Sequence, residues 1–219
     1  MSSPRGGDEI TYAVETNLRI DMKENFSDSS STGSTLGKND WQDKELLEKF
    51  KNPDTQHYAF NLLVRQYQKR LYWHIRKILI DHDDTDDVLQ NVFIKVWKNL
   101  ASFKGESQLY TWLYRIATNE SINYLNQKKK HVGIPIDDAS SFLANKLESD
   151  SYFKGDDIQK KLQKAILTLP DKQRIVFNMK YFDALKYDEM SVILETSVGA
   201  LKASYHHAVK KIEHYLTSH

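Results

Sequence analysis

Residues 83–125 read DDTDDVLQNVFIKVWKNLASFKGESQLYTWLYRIATNESINYL, and apolar side chains recur along them at helical spacing. In the first half, positions three and four apart form one apolar stripe, which predicts an amphipathic helix. This stripe consists of Val88, Leu89, Val92, Phe93, Val96, Trp97 and Leu100. Residues 101–107 are a short connection, and a second helical pattern follows it. The stretch therefore predicts two helices that face each other across a short loop.

The second helix of this pair is rich in aromatic residues, and cations lie close to it in sequence. The rings are Tyr110, Trp112, Tyr114 and Tyr124, and the cations are Lys104, Arg115 and the run Lys128 to Lys130. Aromatic rings beside cations can stack bases and hold a phosphate backbone. This composition indicates a surface for single-stranded nucleic acid.

The charge of the chain is unevenly distributed. Its 219 residues have a net charge of +1, but residues 58–130 hold 12 Lys and Arg against 7 Asp and Glu. Residues 1–57 hold 7 basic residues against 11 acidic ones. A basic middle with an acidic leader suggests a polyanion partner. On charge alone, a solvated surface of uneven charge explains the pattern equally well.

Several classes of protein do not fit the composition. The chain has no cysteine, which excludes disulfides and thiolate metal sites. No apolar run is long enough to span a membrane, and the N-terminus lacks the apolar core of a signal peptide. We find no catalytic constellation, no glycine-rich phosphate loop and no metal-ligand spacing. The sequence thus predicts a cytoplasmic protein that is not an enzyme, needs no cofactor or metal and does not insert into membranes.

The chain divides into four parts by composition. Residues 1–39 are polar and Gly/Ser-rich, and we expect disorder there. Residues 40–127 form a helical domain, which includes a long helix from about Gln56 to Leu79. One face of this helix carries Phe60, Leu63, Val64, Tyr67, Leu71, His74, Ile75 and Ile78. Residues 128–157 carry Gly133, Pro135 and Gly155 without a sustained period and predict a flexible linker. Residues 158–219 form a second helical domain. The predicted fold is all-α, with two small helical domains.

The segment LKYDEMSVILETSVGALKASYHHAVKKI, residues 185–212, has the pattern of a helix-turn-helix. Ser197 is placed to cap the second helix, and no acid occurs between Ser197 and Lys211. A helix with small residues at its start and cations further along can enter the major groove of DNA. A plain helical hairpin with a solvated polar face is the alternative.

Both motifs resemble known parts of one family. DDVLQNVFIKVWKNL, FKG and TWLYRIATNESINYL resemble region 2 of the sigma-70 family of bacterial transcription initiation factors, and the small extracytoplasmic-function group is the most similar. LPDKQRIVFNMKYFDAL and the helix-turn-helix resemble region 4 of that family. The likeness covers roughly residues 55–127 and 160–216. It implies a region 2 bundle and a region 4 helix-turn-helix, joined by the linker.

The resemblance implies three binding surfaces. The region 2 face that docks on core RNA polymerase would use Asp86, Asp87, Gln90, Asn91 and Lys95. Capture of the minus-ten promoter element would use Phe103, Lys104, Ser107, Tyr110, Arg115, Asn119 and Asn123. Recognition of the minus-thirty-five element would use Ser197, Gly199, Lys202, Ala203, His206, His207 and Lys210. For Asp84 we expect N-terminal capping and solvation instead.

The region 4 segment departs from the family pattern in two ways. Glu195 stands in the turn where the family often has Gly or Asn, so we expect this turn either to use a different φ angle or to accept a small strain cost. The recognition helix also has fewer arginines, because the family often carries Ser-Arg and Arg-Ala-Arg where this chain has Ala203-Ser204 and His207-Ala208-Val209. Fewer arginines mean fewer bidentate contacts to phosphate or guanine.

We expect a transcription initiation factor whose partners are core RNA polymerase, promoter DNA and, as for many members of the group, an anti-sigma factor. A stand-alone helix-turn-helix regulator, with residues 40–127 as an effector or dimerisation bundle, is the main alternative. A helical adaptor that binds acidic proteins is another.

Overall fold

The structure is a computed structural model that describes residues 40–132 and 157–218. Within these ranges it contains α-helices, short turns and one 3-10 turn, Leu100–Ser102, and no strand. The prediction of an all-α fold is confirmed, whereas the expected disorder of residues 1–39 lies outside the described residues. The helices are α1 (Asp40–Lys51), α2 (Gln56–Leu79), α3 (His82–Asn99), α4 (Leu109–Val132), α5 (Asp157–Leu167), α6 (Asp171–Tyr181), α7 (Tyr187–Leu194) and α8 (Val198–Ser218).

Helices α1–α4 form a front bundle around the apolar stripes of α2 and α3. Six of the seven predicted stripe residues of α3 are buried, and the seventh, Trp97, is partly buried against Phe50 and Phe60 at centroid distances of 5.3 and 4.9 Å. The edge-on arrangement of these rings is one that aromatic pairs favour. The predicted face of α2 is buried throughout; it comprises Phe60, Leu63, Val64, Tyr67, Leu71, His74, Ile75 and Ile78.

The start of α3 differs from the prediction. Asp81 is the N-cap, and its Oδ1 accepts a hydrogen bond from the Asp84 amide at 2.9 Å. The carboxylate of Asp84 itself is almost completely buried, with 9% of the residue exposed. The expectation of capping and solvation for Asp84 is therefore wrong, because α4 covers this side chain.

Helices α5–α8 form a rear bundle in which α7 and α8 make the predicted helix-turn-helix. Leu201, Ala208 and Ile212 anchor α8 on the inner side. Glu195 ends α7 in the left-handed conformation, with φ 51° and ψ 41°. Of the two alternatives for this turn, the structure has the second, because a positive φ carries a strain cost for a residue with a Cβ atom.

The two bundles pack directly against each other. Buried apolar residues of α6, α7 and α8, among them Met179, Met190 and Leu201, belong to the same continuous core as those of α2–α4. Helix α4 runs to Val132, beyond the predicted domain boundary at residue 127. The described residues thus form one packed body with a front and a rear half.

Candidate nucleic-acid and polymerase interfaces

The outer face of α8 presents a continuous polar and basic surface. All seven residues predicted for the minus-thirty-five element are exposed there. They are Ser197, Gly199, Lys202, Ala203, His206, His207 and Lys210. Small side chains at the start of the helix leave room for the edge of a DNA groove to approach. The cations lie on the same face. We call this set the recognition face.

Local contacts fix the start of the recognition face. Ser197 Oγ accepts a hydrogen bond from the Ala200 amide at 3.3 Å, which confirms the predicted cap. The Lys202 ammonium lies 5.8 Å from the centroid of the Tyr187 ring on α7, and the Lys180 ammonium lies 4.9 Å from it. The Tyr187 ring of α7 therefore contacts cations from α6 and α8, and these contacts link the three helices.

The connection between α3 and α4 contains a ring pair and an exposed cation. Phe103 packs on Trp112 with ring centroids 5.2 Å apart, and both residues are only partly buried. Gly105 has φ +72° with open space around it, a backbone conformation that favours glycine. Lys104 is exposed and Ser107 is partly exposed at the same loop. This part of the predicted minus-ten set is accessible.

Helix α4 places the rest of the predicted minus-ten set in two environments. Arg115, Asn119 and Asn123 are exposed and follow one another at four-residue intervals, so they share one face. Tyr110 instead is 3% exposed and belongs to the front core. The prediction that Tyr110 offers its ring to DNA is contradicted in this conformation, because the helix turns that ring inwards.

Helix α3 carries the face predicted to dock on polymerase. Asp87 and Asn91 are exposed, and Asp86 and Gln90 are partly exposed. Burial and the neighbouring charges of Asp83 and Asp87 raise the pKa of Asp86, although His82 lies 3.7 Å from Oδ2 and opposes the shift. This end of α3 therefore carries like charges that repel one another.

Lys95, the last member of that face, is exposed and has an intramolecular partner. Its ammonium contacts Glu120 Oε1 on α4 at 2.5 Å. The pair bridges α3 and α4.

Asp84 forms a buried polar junction between α3 and α4. Its Oδ1 accepts hydrogen bonds from Tyr124 Oη at 2.7 Å and from Lys128 Nζ at 2.6 Å. Burial and this acidic partner raise the pKa of Tyr124. Tyr124 and Lys128 are therefore engaged in holding the bundle together.

A second polar junction lies between the two bundles and was not predicted. Asp183, in the turn after α6, accepts from Lys77 Nζ and pairs with His74 Nδ1, each at 2.7 Å. The apolar pattern of the sequence predicts His74 on the buried face of α2 but indicates no partner for it. The sequence did carry one signal of this junction. His74 is a titratable residue inside an apolar stripe, and buried charged or polar groups are paired.

Two other features, a metal site and a membrane-spanning helix, are absent from the described residues. No group of three or more His, Cys, Asp or Glu side chains in residues 40–132 and 157–218 is placed to hold a metal ion. Within the same ranges, no helix is both long and apolar enough to cross a lipid bilayer.

Two family models match the chain, in the order that the two bundles follow. Sigma-70 region 2 matches residues 63–131, and Sigma-70 region 4 matches residues 159–212. The first range falls within α2–α4 and the second within α5–α8. Each of the three predicted surfaces lies inside one of these ranges.

Curated relatives and solved structures agree with the family models. The RNA polymerase sigma-H factor of Pseudomonas aeruginosa is 30% identical over 182 residues, which are 78% of this chain and 92% of the relative. The ECF RNA polymerase sigma-E factor of Escherichia coli K12 is 30% identical over 181 residues, again 78% of this chain and 92% of the relative.

Two solved structures share the fold at lower identity. CnrH, in complex with the cytosolic domain of CnrY, has a TM-score of 0.58 and 21% identity over 80% of this chain and 97% of that one. The sigma factor RpoE of Bartonella quintana, in complex with the anti-sigma factor NepR, has a TM-score of 0.56 and 18% identity over 72% of this chain and 96% of that one. The chain thus belongs to the sigma-70 family of RNA polymerase sigma factors, in its extracytoplasmic-function group.

Proposed function

We propose that this sigma factor binds core RNA polymerase, recognises the minus-ten and minus-thirty-five promoter elements and promotes strand opening. The observation that carries the proposal is the recognition face of α8. Seven residues predicted from sequence lie exposed together there, on a helix with no acid between Ser197 and Lys211. A negatively charged duplex meets no repulsion along this stretch.

Within the recognition face, different residues contact the phosphates and the base edges. Lys202 and Lys210 are flexible cations that hold the phosphate backbone and set the register of the helix. His206 and His207 carry ring nitrogens that reach base edges. Since no arginine lies on this face, we expect moderate affinity and a marked dependence on salt.

For the minus-ten element, we propose that the loop between α3 and α4 holds an extruded base. Phe103 and its partner Trp112 supply the apolar wall, and Ser107 supplies a polar group for the base edge. Lys104 and Arg115 hold the phosphates of the displaced strand, while Asn119 and Asn123 continue the surface. Binding energy for extruded bases would drive opening without nucleotide hydrolysis.

For core polymerase, we propose docking through Asp86, Asp87, Gln90, Asn91 and Lys95 on α3. Like charges at the start of α3 repel one another in the free protein, and a basic partner surface relieves that repulsion. This role places the protein in the cytoplasm with the polymerase. Since two solved structures show such relatives in complex with CnrY and with NepR, we also propose that an anti-sigma factor binds this chain.

Promoter binding with and without core polymerase tests the proposal against its main rival. We expect the full chain alone to bind a promoter fragment weakly, and the holoenzyme to bind it tightly and to start run-off transcripts. A stand-alone helix-turn-helix regulator would bind its site tightly without core and would support no transcription by core. That result would refute the proposal.

Replacement of Asp87 by Asn tests the polymerase face. Asp87 is exposed and lies next to Asp86, so we expect about tenfold weaker binding to core, the scale of a charge lost at an interface. The free chain should keep its stability, because one like-charge repulsion is removed. Affinity is measured by titration of labelled chain with core, and Asp54→Asn, an exposed acid between α1 and α2, is the matched control. Equal affinities for both variants would contradict the docking face.

A further inference from the structure

One exposed side of α2 belongs to none of the three surfaces proposed above. Tyr58, Leu62, Arg65, Lys69 and Trp73 follow one another at steps of three and four residues, so they lie along one side of the helix. Tyr58, Arg65 and Lys69 are exposed, and Leu62 and Trp73 are partly exposed. Given the rise of an α-helix, this side is about 22 Å long. We call these five residues the α2 outer face.

The α2 outer face combines exposed apolar surface with positive charge. Tyr58 is 59% exposed, the largest exposed fraction among the large apolar side chains of the described residues. Residues 56–79 contain five Lys and Arg and no Asp or Glu. Within residues 40–132 and 157–218, no acid pairs with Arg65. Rings beside cations fit a partner that is both acidic and apolar.

The first 39 residues of the chain, here called the N-terminal segment, have the complementary composition. Residues 8–28 read DEITYAVETNLRIDMKENFSD and hold six acids against two bases, a net charge of −4. Apolar residues stand at every second position in two short runs, which are Ile10, Tyr12 and Val14, and then Leu18, Ile20 and Met22. Such alternation places apolar residues on one side of an extended chain.

The N-terminal segment joins the fold beside the α2 outer face. It ends immediately before Asp40, the first residue of α1. One turn further on, Asp43 accepts hydrogen bonds from Tyr67 Oη at 2.9 Å and from Gln66 Nε2 at 3.2 Å. Those two residues lie between the two cations of the face along α2. The segment therefore enters the front bundle next to these cations.

The acidic part of the N-terminal segment is long enough to cover the face. Residue 28 stands 12 positions before Asp40, and covalent geometry gives a connection of that length a reach of up to roughly 40 Å. A tethered segment meets a nearby surface at an effective concentration on the order of millimolar. Weak contacts are therefore sufficient for docking within one chain.

The N-terminal segment lies outside both sigma regions. The two family models match residues 63–131 and 159–212. The relatives from Pseudomonas aeruginosa and Escherichia coli align with 92% of their own length but with 78% of this chain. A role for the segment is therefore a feature of this chain and not of the two regions that it shares with the family.

We propose that the N-terminal segment docks on the α2 outer face of its own chain. Its acids contact Arg65 and Lys69, and its apolar residues pack on Tyr58, Leu62 and Trp73. The docked segment covers apolar surface of the front bundle and neutralises two of its cations, so it shields this side of α2 from other polyanions. This inference does not rest on the proposed function, because it concerns the chain without polymerase or DNA.

Photo-crosslinking in the full chain tests the docking. Tyr58→benzoylphenylalanine keeps an aromatic ring on the face and makes it photoreactive. After irradiation, mass spectrometry of a tryptic digest identifies the peptides joined to α2, and we expect peptides from residues 1–39 of the same chain. The same replacement at Tyr181, which is 55% exposed in the rear bundle, is the matched control and should give no crosslink to those residues.

Charge reversal tests which groups hold the segment. Arg65→Glu combined with Lys69→Glu should lower the crosslink yield by about threefold or more, the scale of lost surface ion pairs. Glu15→Lys combined with Asp21→Lys should lower it similarly, and all four changes together should restore it, because the charges are then exchanged. Lys98→Glu, at an exposed lysine of α3, is the matched control and should leave the yield unchanged.

The outcomes decide the proposal in either direction. Crosslinks to residues 1–39 within one chain, weakened by both reversals and restored by the exchange, would establish the docking. Crosslinks that join two chains would assign the face to a second copy and overturn it, as would crosslinks confined to α1 and α2. A yield that neither reversal changes, or that the exchange does not restore, would also overturn it. If the Arg65 and Lys69 variant does not fold, the reversal at Glu15 and Asp21 decides, because it alters no residue of either bundle.

Discussion

At the scale of single residues, the buried carboxylates of Asp84 and Asp183 are held in position by the side chains that donate hydrogen bonds to them. Asp84 is buried in the front bundle, and Tyr124 and Lys128 satisfy its carboxylate from the neighbouring helix. Asp183 is buried between bundles, and His74 and Lys77 satisfy it. A buried carboxylate without such donors would be costly in free energy. Each of these two carboxylates therefore fixes the relative position of the two elements that it joins.

Removal of the Lys128 ammonium tests the junction at Asp84. We expect Lys128→Met to lower the free energy of unfolding by about 1–3 kcal/mol, the range for a lost hydrogen bond to a charged group. Lys130→Met, an exposed lysine two residues further on, should change it by less than about 0.5 kcal/mol. Urea denaturation of both variants measures the difference. Equal losses would show that the buried pair contributes nothing specific.

At the scale of helices, the ends are stabilised by side chains and by contacts far along the chain. Within residues 40–132 and 157–218, three non-glycine residues have positive φ angles: Ile80 at 65°, Ala184 at 54° and Glu195 at 51°. Such angles cost energy for residues with a Cβ atom. Ile80 is compensated by burial in the core, and Glu195 pairs with Arg115. Tertiary contacts therefore decide where these helices end.

The N-terminus of α3 offers a separable test of capping. Asp81→Ala removes the acceptor for the Asp84 amide, and we expect a loss of about 1 kcal/mol in the free energy of unfolding. Asp81→Asn keeps a side-chain oxygen in the same place and should lose much less. Thermal and urea unfolding measure both variants. If Asn and Ala are equally destabilising, the charge of Asp81 and not its cap is what matters.

At the scale of the whole molecule, a continuous apolar core and four ion pairs combine two sigma regions into one packed body. The pairs are Asp183 with His74, Asp183 with Lys77, Arg115 with Glu195, and Lys129 with Asp171. His74 and Lys77 on α2 keep the pKa of Asp183 below its usual range despite burial, and Tyr114 of α4 lies close to the same carboxylate. A carboxylate with a depressed pKa in the folded state stabilises that state above its ordinary pKa. This contribution is lost as the pH falls through the depressed value.

Acid titration of the packed body tests this linkage. The ordinary pKa of an aspartate is 3.8, so the contribution of Asp183 should be complete above that pH and should disappear below it. We expect the stability difference between wild type and Asp183→Asn to be constant from pH 7 to about 4.5 and to shrink towards pH 2. Asp188→Asn, whose carboxylate is exposed, should differ little from wild type throughout. A difference that grows on acidification would contradict the assignment.

Most helices of this protein could be predicted because their apolar residues repeat with the period of the helix. The buried face of α2 and the exposed recognition face of α8 follow from that repeat alone. Tyr110 could not be placed in the same way, because aromatic residues fit both a core and a nucleic-acid surface. Its position depends on how α4 packs against the rest of the front bundle.

The sequence by itself determined the helical elements, the two sigma regions and the exposed cations of α8, since these depend on residues close together along the chain. Only the tertiary structure decided which charges pair: Asp84 with Lys128, Asp183 with His74 and Lys77, and Arg115 with Glu195. The partners in these pairs lie between 44 and 109 positions apart. Pairing at such separations arises from the packing of whole helices and bundles, which no local pattern encodes.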